Sequence, residues 1–201
     1  VYWYGQSDWM TVTRSEISRN QAVGTNRVWG GGVYADARTD YNQSRYMSFT
    51  ETTISDNVAS GASEGYGGGL YINASYTYYS TSQAILRDST VSGNSAYGGS
   101  ISRGGGVYAG GSLNGNSAVR FDGINATISG NRAYGSASAG GGGIWAGSPS
   151  QTKLTQVTVT LNEAAYGGGV YRSAGDARVR NTIIAGNTAV FDGTDVYGAF
   201  H

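Results

Sequence analysis

The chain has 201 residues, with 34 Gly, one Pro, no Cys, 12% aromatics, and thirteen acidic side chains balanced by thirteen basic ones. Zero net charge excludes the electrostatic footprint of a nucleic-acid or acidic-lipid binder. High Gly with almost no Pro excludes collagen, and the aromatic content argues against a disordered linker.

The N-terminal stretch Val1-Tyr2-Trp3-Tyr4 is strand-like, and there is no initiating Met, no signal peptide and no 18-residue apolar run. The expectation is a segment of something longer, a single domain over 1–201 with no membrane span. A phrase follows that the chain then repeats. Ile17-Ser18 precedes Asn20, Ala22 comes next, and Gly30-Gly31-Gly32 closes on Val33-Tyr34. The phrase returns at Asn57, Asn94 and Asn131, each 37 residues after the last, and then sooner, at Asn162 and Asn187. Such self-similarity marks a repeat architecture.

The last two Asn spacings are 31 and 25 residues. A helical repeat would lose its buried face with each deletion, whereas a coil of short strands places length changes in surface loops. About 25 residues therefore make the bare coil, and the 37-residue coils carry roughly a dozen loop residues more. Thr52-Thr53-Ile54-Ser55, Ser89-Thr90-Val91-Ser92 and Ala126-Thr127-Ile128-Ser129 alternate as half-buried strands do. Three inward columns are expected. The first is Ile17, Ile54, Val91, Ile128, Val159 and Ile184, the second Val12, Phe49, Leu86, Leu154 and Val179, the third Val33, Leu70, Val107, Ile144 and Val170. The fold class is thus all-β, a right-handed parallel β-helix of about six coils.

The repeated Asn residues, Asn20, Asn57, Asn94, Asn131, Asn162 and Asn187, are expected to form a structural ladder. Asn also tolerates left-handed backbone. Tyr34, Tyr71, Tyr108, Trp145 and Tyr171 share one repeat position and are expected as an outward or corner column able to stack on sugar rings or anchor a partner. On that reading Tyr108→Ala with Trp145→Ala weakens partner binding and leaves the fold intact. Trp29, Tyr66 and Tyr166 stand just before the glycines, and Tyr97 and Tyr134 follow the Ala.

Catalytic and metal-ligating residues are not expected, and neither is a cofactor. The one His is His201, and calcium-binding Gly-rich nonapeptides are missing. Asp36 with Asp40 and Asp192 with Asp195 are the closest acidic pairs. An enzyme acting on polysaccharide would need paired acids, or an Arg or Lys base beside a metal, on one face. The candidates are Glu16, Asp56, Asp88 and Asp122 with Arg19, Arg87, Arg120 and Arg132. Outward Thr53/Ser55, Thr90/Ser92, Thr127/Ser129 and Thr158/Thr160 form a hydroxyl lattice, the basis of a minor ice-binding alternative. Sequons stand at Asn42, Asn73 and Asn125 and are expected to carry little weight.

The Ser-x-Asn-x-Ala and Gly-Gly-Gly-Val-Tyr phrases resemble the right-handed parallel β-helix repeats of bacterial surface proteins, of polymorphic-outer-membrane-protein-like and autotransporter-passenger-like type. Asn181–Asn187 and Asp192–Val196 are similar to secreted proteins of the CSLREA and choice-of-anchor type. The resemblance implies an extracellular or cell-surface location and a non-enzymatic structural or adhesive segment. Its partners would be itself, end to end or laterally, flanking domains, or extracellular glycans. A polysaccharide lyase or hydrolase of the β-helix type is the alternative.

Overall fold

The computed structural model of the chain describes residues 1–3, 8–37, 44–74, 80–111, 117–148 and 150–200. Asp40, Asn42 and His201 lie outside the described residues. Those described form an all-β repeat of parallel strands stacked coil on coil, and no helix among them is long and apolar enough to cross a membrane.

Each coil visits four sheets in turn. The first, six-stranded, takes the longest strands: Asp8–Thr13, Ser44–Thr50, Thr81–Arg87, Ala118–Ile124, Ser150–Thr155 and Asp176–Arg180. The second, also six-stranded, takes Glu16–Ser18, Thr53–Ser55, Thr90–Ser92, Thr127–Ser129, Thr158–Thr160 and Ile183–Ile184. The third has ten strands and follows the Asn. The fourth has seven and follows the triple glycine, with Val33–Asp36, Leu70–Ala74, Val107–Gly111, Ile144–Ala146 and Val170–Arg172 at its centre.

Pairing is in repeat register: Thr90 lies opposite Thr53 and Thr127, and Tyr71 opposite Tyr34 and Tyr108. The period-2 pattern then decides the faces. Ile54, Val91, Ile128 and Val159 are fully buried, while Thr90, Thr127 and Thr158 with Ser92, Ser129 and Thr160 face outward, half-exposed. Phe49, Leu86 and Leu154, with Val33, Leu70, Val107, Ile144 and Val170, complete one continuous core. Val179 departs from its column and is exposed, because it lies on the last described coil with Val190, Phe191 and Val196 and nothing described stacks beyond.

The extra residues of the long coils are of two kinds. Asn94 to Gly104 spans ten residues, whereas Asn162 to Gly167 spans five. The five inserted residues are not simply loop. Arg27–Trp29, Glu64–Tyr66, Ile101–Arg103 and Ser138–Gly140 are strands of the third sheet, paired with their own copies in neighbouring coils. Equal insertions in successive coils let the backbone hydrogen bonds that a lone loop would leave to water pair with one another. The rest of the extra length lies between the fourth sheet and the next coil's first, largely outside the described residues.

The left-handed corner before each ladder Asn is taken by the residue preceding it: Arg19, Asp56, Gly93, Gly130, Leu161 and Gly186. The Asn residues themselves keep ordinary backbone, because their work is done by the side chain.

Candidate functional site

The Asn side chains link every coil. Asn20 Nδ2 donates to Asn57 Oδ1 at 2.8 Å, and the same bond at 2.9 Å joins Asn57 to Asn94, Asn94 to Asn131, Asn131 to Asn162 and Asn162 to Asn187. Each acceptor oxygen also receives the backbone N–H of the preceding Asn, as in Asn94 N to Asn131 Oδ1 at 3.0 Å. The second amide hydrogen turns back to a carbonyl, Asn94 Nδ2 to Ile54 O at 2.9 Å. The third glycine of each triple makes room: a Cβ on Gly106 would lie 3.0 Å from the Asn131 amide. At the C-terminal end, Asp195 occupies the register of the third glycine and its Oδ1 accepts both Asn187 donors, at 2.9 and 3.0 Å. A carboxylate there reproduces the oxygen that a further Asn would supply.

The aromatic column lies outside the main core, on the outer side of the fourth sheet. Tyr34, Tyr71, Tyr108 and Trp145 stack in parallel with ring centroids 5.3, 4.8 and 4.7 Å apart. The inserted strands cover it. Trp29, Tyr66, Arg103 and Gly140 stand opposite one another in the third sheet, and Tyr66 meets Tyr108 edge-on at 5.4 Å. The result is a second hydrophobic core in which Tyr34, Tyr71, Tyr108 and Trp145 are each less than a tenth exposed. Their ring faces are spent largely on one another. Burial pushes the Tyr108 phenol up to about 12. It raises Tyr66 further, assisted by a hydrogen bond to Glu64.

This placement corrects one expectation. Tyr108→Ala with Trp145→Ala removes two buried rings from a packed stack, so the pair should lower stability by about 4–6 kcal/mol, given roughly 3–5 for one buried aromatic and some relaxation around two neighbours. Thermal or denaturant unfolding followed by circular dichroism checks this; an unchanged midpoint would contradict the burial.

The candidate acids are dispersed. Glu16 lies in the second sheet, Asp56 at the left-handed corner after it, and Asp88 at the corner before it, where Asn125 Nδ2 donates to its carboxylate at 2.6 Å. Arg19 shares the Asp56 corner position, and Arg132 is bonded to Glu163 at 2.5 Å. Asp36 is buried, accepting from Tyr34 Oη at 2.9 Å and Asn73 Nδ2 at 3.0 Å, while the buried Arg45 donates to its backbone carbonyl. Asp122 and Arg120, however, come together with Lys153, Asp176 and Arg178 around a depression of about 270 Å³ on the first sheet. Lys153, Asp176 and Arg178 belong to the two shortened coils, where the 37-residue spacing no longer aligns them by eye. Among the described residues no three His, Cys, Asp or Glu side chains gather as a metal site would require.

Two further features were not legible as sites. Tyr97 and Tyr134 stack at 5.5 Å on the outer surface of the third sheet, each about half exposed. A cavity of about 270 Å³ opens between Trp145 and Tyr171, lined also by Arg103, Ser138, Tyr166 and Ser173. Comparison with protein-family models, with curated proteins and with solved structures gave no match. The fold and its side-chain ladders define the class: an all-β repeat protein of stacked parallel strands.

Proposed function

We propose that the chain is a right-handed parallel β-helix serving as a non-enzymatic structural and adhesive module of a secreted or cell-surface protein. Right-handedness follows the near-universal hand of crossovers between parallel strands. The observation that carries the reading is the ladder running from Asn20 to Asp195 without a gap, which ties each coil to the next beside four parallel backbone ladders. Such a stack resists local opening, because displacing one coil breaks side-chain and backbone bonds to both neighbours. Its partners in this reading are a second copy, flanking domains or extracellular glycans, met on outward features such as the Tyr97–Tyr134 pair. The carboxylates and cations around Asp122 favour a second reading, a polysaccharide-active enzyme.

Incubation with a panel of neutral and acidic polysaccharides, assayed for new reducing or unsaturated ends, separates the two. The structural reading expects intact polysaccharide and a chain that survives prolonged trypsin despite its 12 Arg and one Lys. New chain ends that vanish in Asp122→Asn would overturn it.

A further inference from the structure

The cavity beside Trp145 is a consequence of one repeat column. The covering position over the aromatic stack reads Trp29, Tyr66, Arg103, Gly140 and, in the coil without the insertion, Tyr166. At the first two coils an aromatic ring closes the cover. At the third, Arg103 takes its place, with its guanidinium carbon 4.9 Å from the Trp145 ring centroid and 5.8 Å from that of Tyr66. At the fourth, Gly140 puts no side chain there, and a Cβ would lie 3.1 Å from the Tyr171 ring. The parallel stack that joins Tyr34 to Trp145 resumes between Tyr171 and Tyr197 at 4.8 Å, with no such contact between Trp145 and Tyr171 among the described residues. The hole thus lies where both the cover and the stack are interrupted.

Its chemistry is specific. Trp145 and Tyr171 supply aromatic surface, the Ser138 and Ser173 hydroxyls and the Tyr166 phenol supply hydrogen-bonding groups, and Arg103 supplies a fixed cation. Arg103 has no carboxylate partner among the described residues. A guanidinium presents five N–H groups in a planar fork that matches a carboxylate two bonds at a time, and stacking on Trp145 holds that fork in place. Amphipathic rings receive the apolar faces of pyranoses, and hydroxyls pair with hydroxyls. About 270 Å³ is just below the usual range of roughly 300–1,000 Å³ for small-molecule pockets, which suits a single sugar ring.

We infer that the cavity formed by Arg103, Trp145, Tyr171, Ser138 and Ser173 binds a hexuronate unit of an acidic polysaccharide, the carboxylate on Arg103 and the ring against the aromatic wall. This deepens the adhesive part of the proposed function and rests on it. The stacking of coils does not depend on the site.

The test is isothermal titration of the full chain with galacturonate, with oligogalacturonate and with a neutral galactose oligomer of equal length, at low and high salt. Binding of an acidic ligand at least tenfold tighter than the neutral one, weakened by salt, is expected. The monosaccharide arm distinguishes a site for a free or terminal sugar from one that needs a polymer. Arg103→Gln should lower affinity for the acidic ligand at least tenfold, and Arg103→Lys should restore only part of it. Ser173→Phe, on the exposed rim, should abolish binding by filling the cavity while the circular dichroism melt stays unchanged, and it decides the matter should Arg103→Gln fail to fold. Equal affinity for acidic and neutral oligomers, full binding by Ser173→Phe, or no binding at all by a chain that melts normally would overturn the site. The last of these would leave the structural reading standing, whereas a chain that melts at low temperature and is quickly digested would sink that reading instead.

Discussion

Asn94→Ala should lower stability by about 3–5 kcal/mol, a fall in melting temperature of roughly 10 °C or more for a chain of this size. Asn94 is fully buried and serves four groups at once. Its Oδ1 accepts from Asn57 N and Asn57 Nδ2, and its Nδ2 donates to Asn131 Oδ1 and Ile54 O. Alanine strands the Asn57 N–H away from water and removes the side-chain donor to the Ile54 carbonyl. Each buried group left unpaired costs about 1–3 kcal/mol, and the cavity adds to this. Asn94→Asp is no remedy, because an ionised carboxylate keeps the acceptor but turns an oxygen toward Ile54 O and Asn131 Oδ1. Asp195 fits because it stands at the ladder's last rung, where it receives from Asn187. Chemical denaturation of the two Asn94 variants beside Asn20→Ala checks this. Asn20 is on the exposed first rung, so its loss should cost about 1 kcal/mol. Equal costs at Asn20 and Asn94 would contradict the ladder.

Gly105→Ala should be at least as damaging, by about 4 kcal/mol or more, or should prevent folding. A Cβ at Gly105 would stand 2.3–2.5 Å from the O, C and N of Arg132 in the next coil. Those are backbone atoms, so no rotamer change relieves the clash. The coils must separate, which strains Gly105 N to Gly141 O at 3.1 Å and Arg132 N to Asn94 O at 2.8 Å. Overpacking of a kind that side chains can absorb costs about 1–3 kcal/mol, and this exceeds it. Gly130→Ala is the matched control. Gly130 has a φ of +63°, and its added Cβ meets nothing closer than 3.8 Å, so only the left-handed penalty of about 1–2 kcal/mol applies. Expression level and melting temperature of the two variants separate steric from conformational cost.

Much of the fold was legible because one phrase recurs in every coil, at 37 residues from Asn20 to Asn131 and sooner thereafter. Six Asn residues and five Gly-Gly-Gly phrases located the corners, and strict alternation assigned Ile54, Val91 and Ile128 inward. The inserted strands were not legible. Arg27–Trp29 and Ser138–Gly140 have no apolar alternation, and pairing with their copies, rather than a local pattern, makes them strands. The burial of the aromatic column was hidden for the same reason, since the strands that cover it looked like loop. The cavity had one readable signal. The residue before each triple glycine is Trp29, Tyr66, Arg103, Gly140 and Tyr166, and the two non-aromatic members mark where the cover fails.

Amide exchange followed by NMR tests the central claim most directly, because the side-chain NH₂ groups of the ladder can be watched individually. The structure predicts slow exchange at the Nδ2 groups and backbone N–H of Asn57, Asn94, Asn131 and Asn162, with faster exchange at Asn20 on the exposed first rung. Rapid exchange of the central Asn side chains in a chain that is otherwise folded would show that the ladder does not hold the coils together.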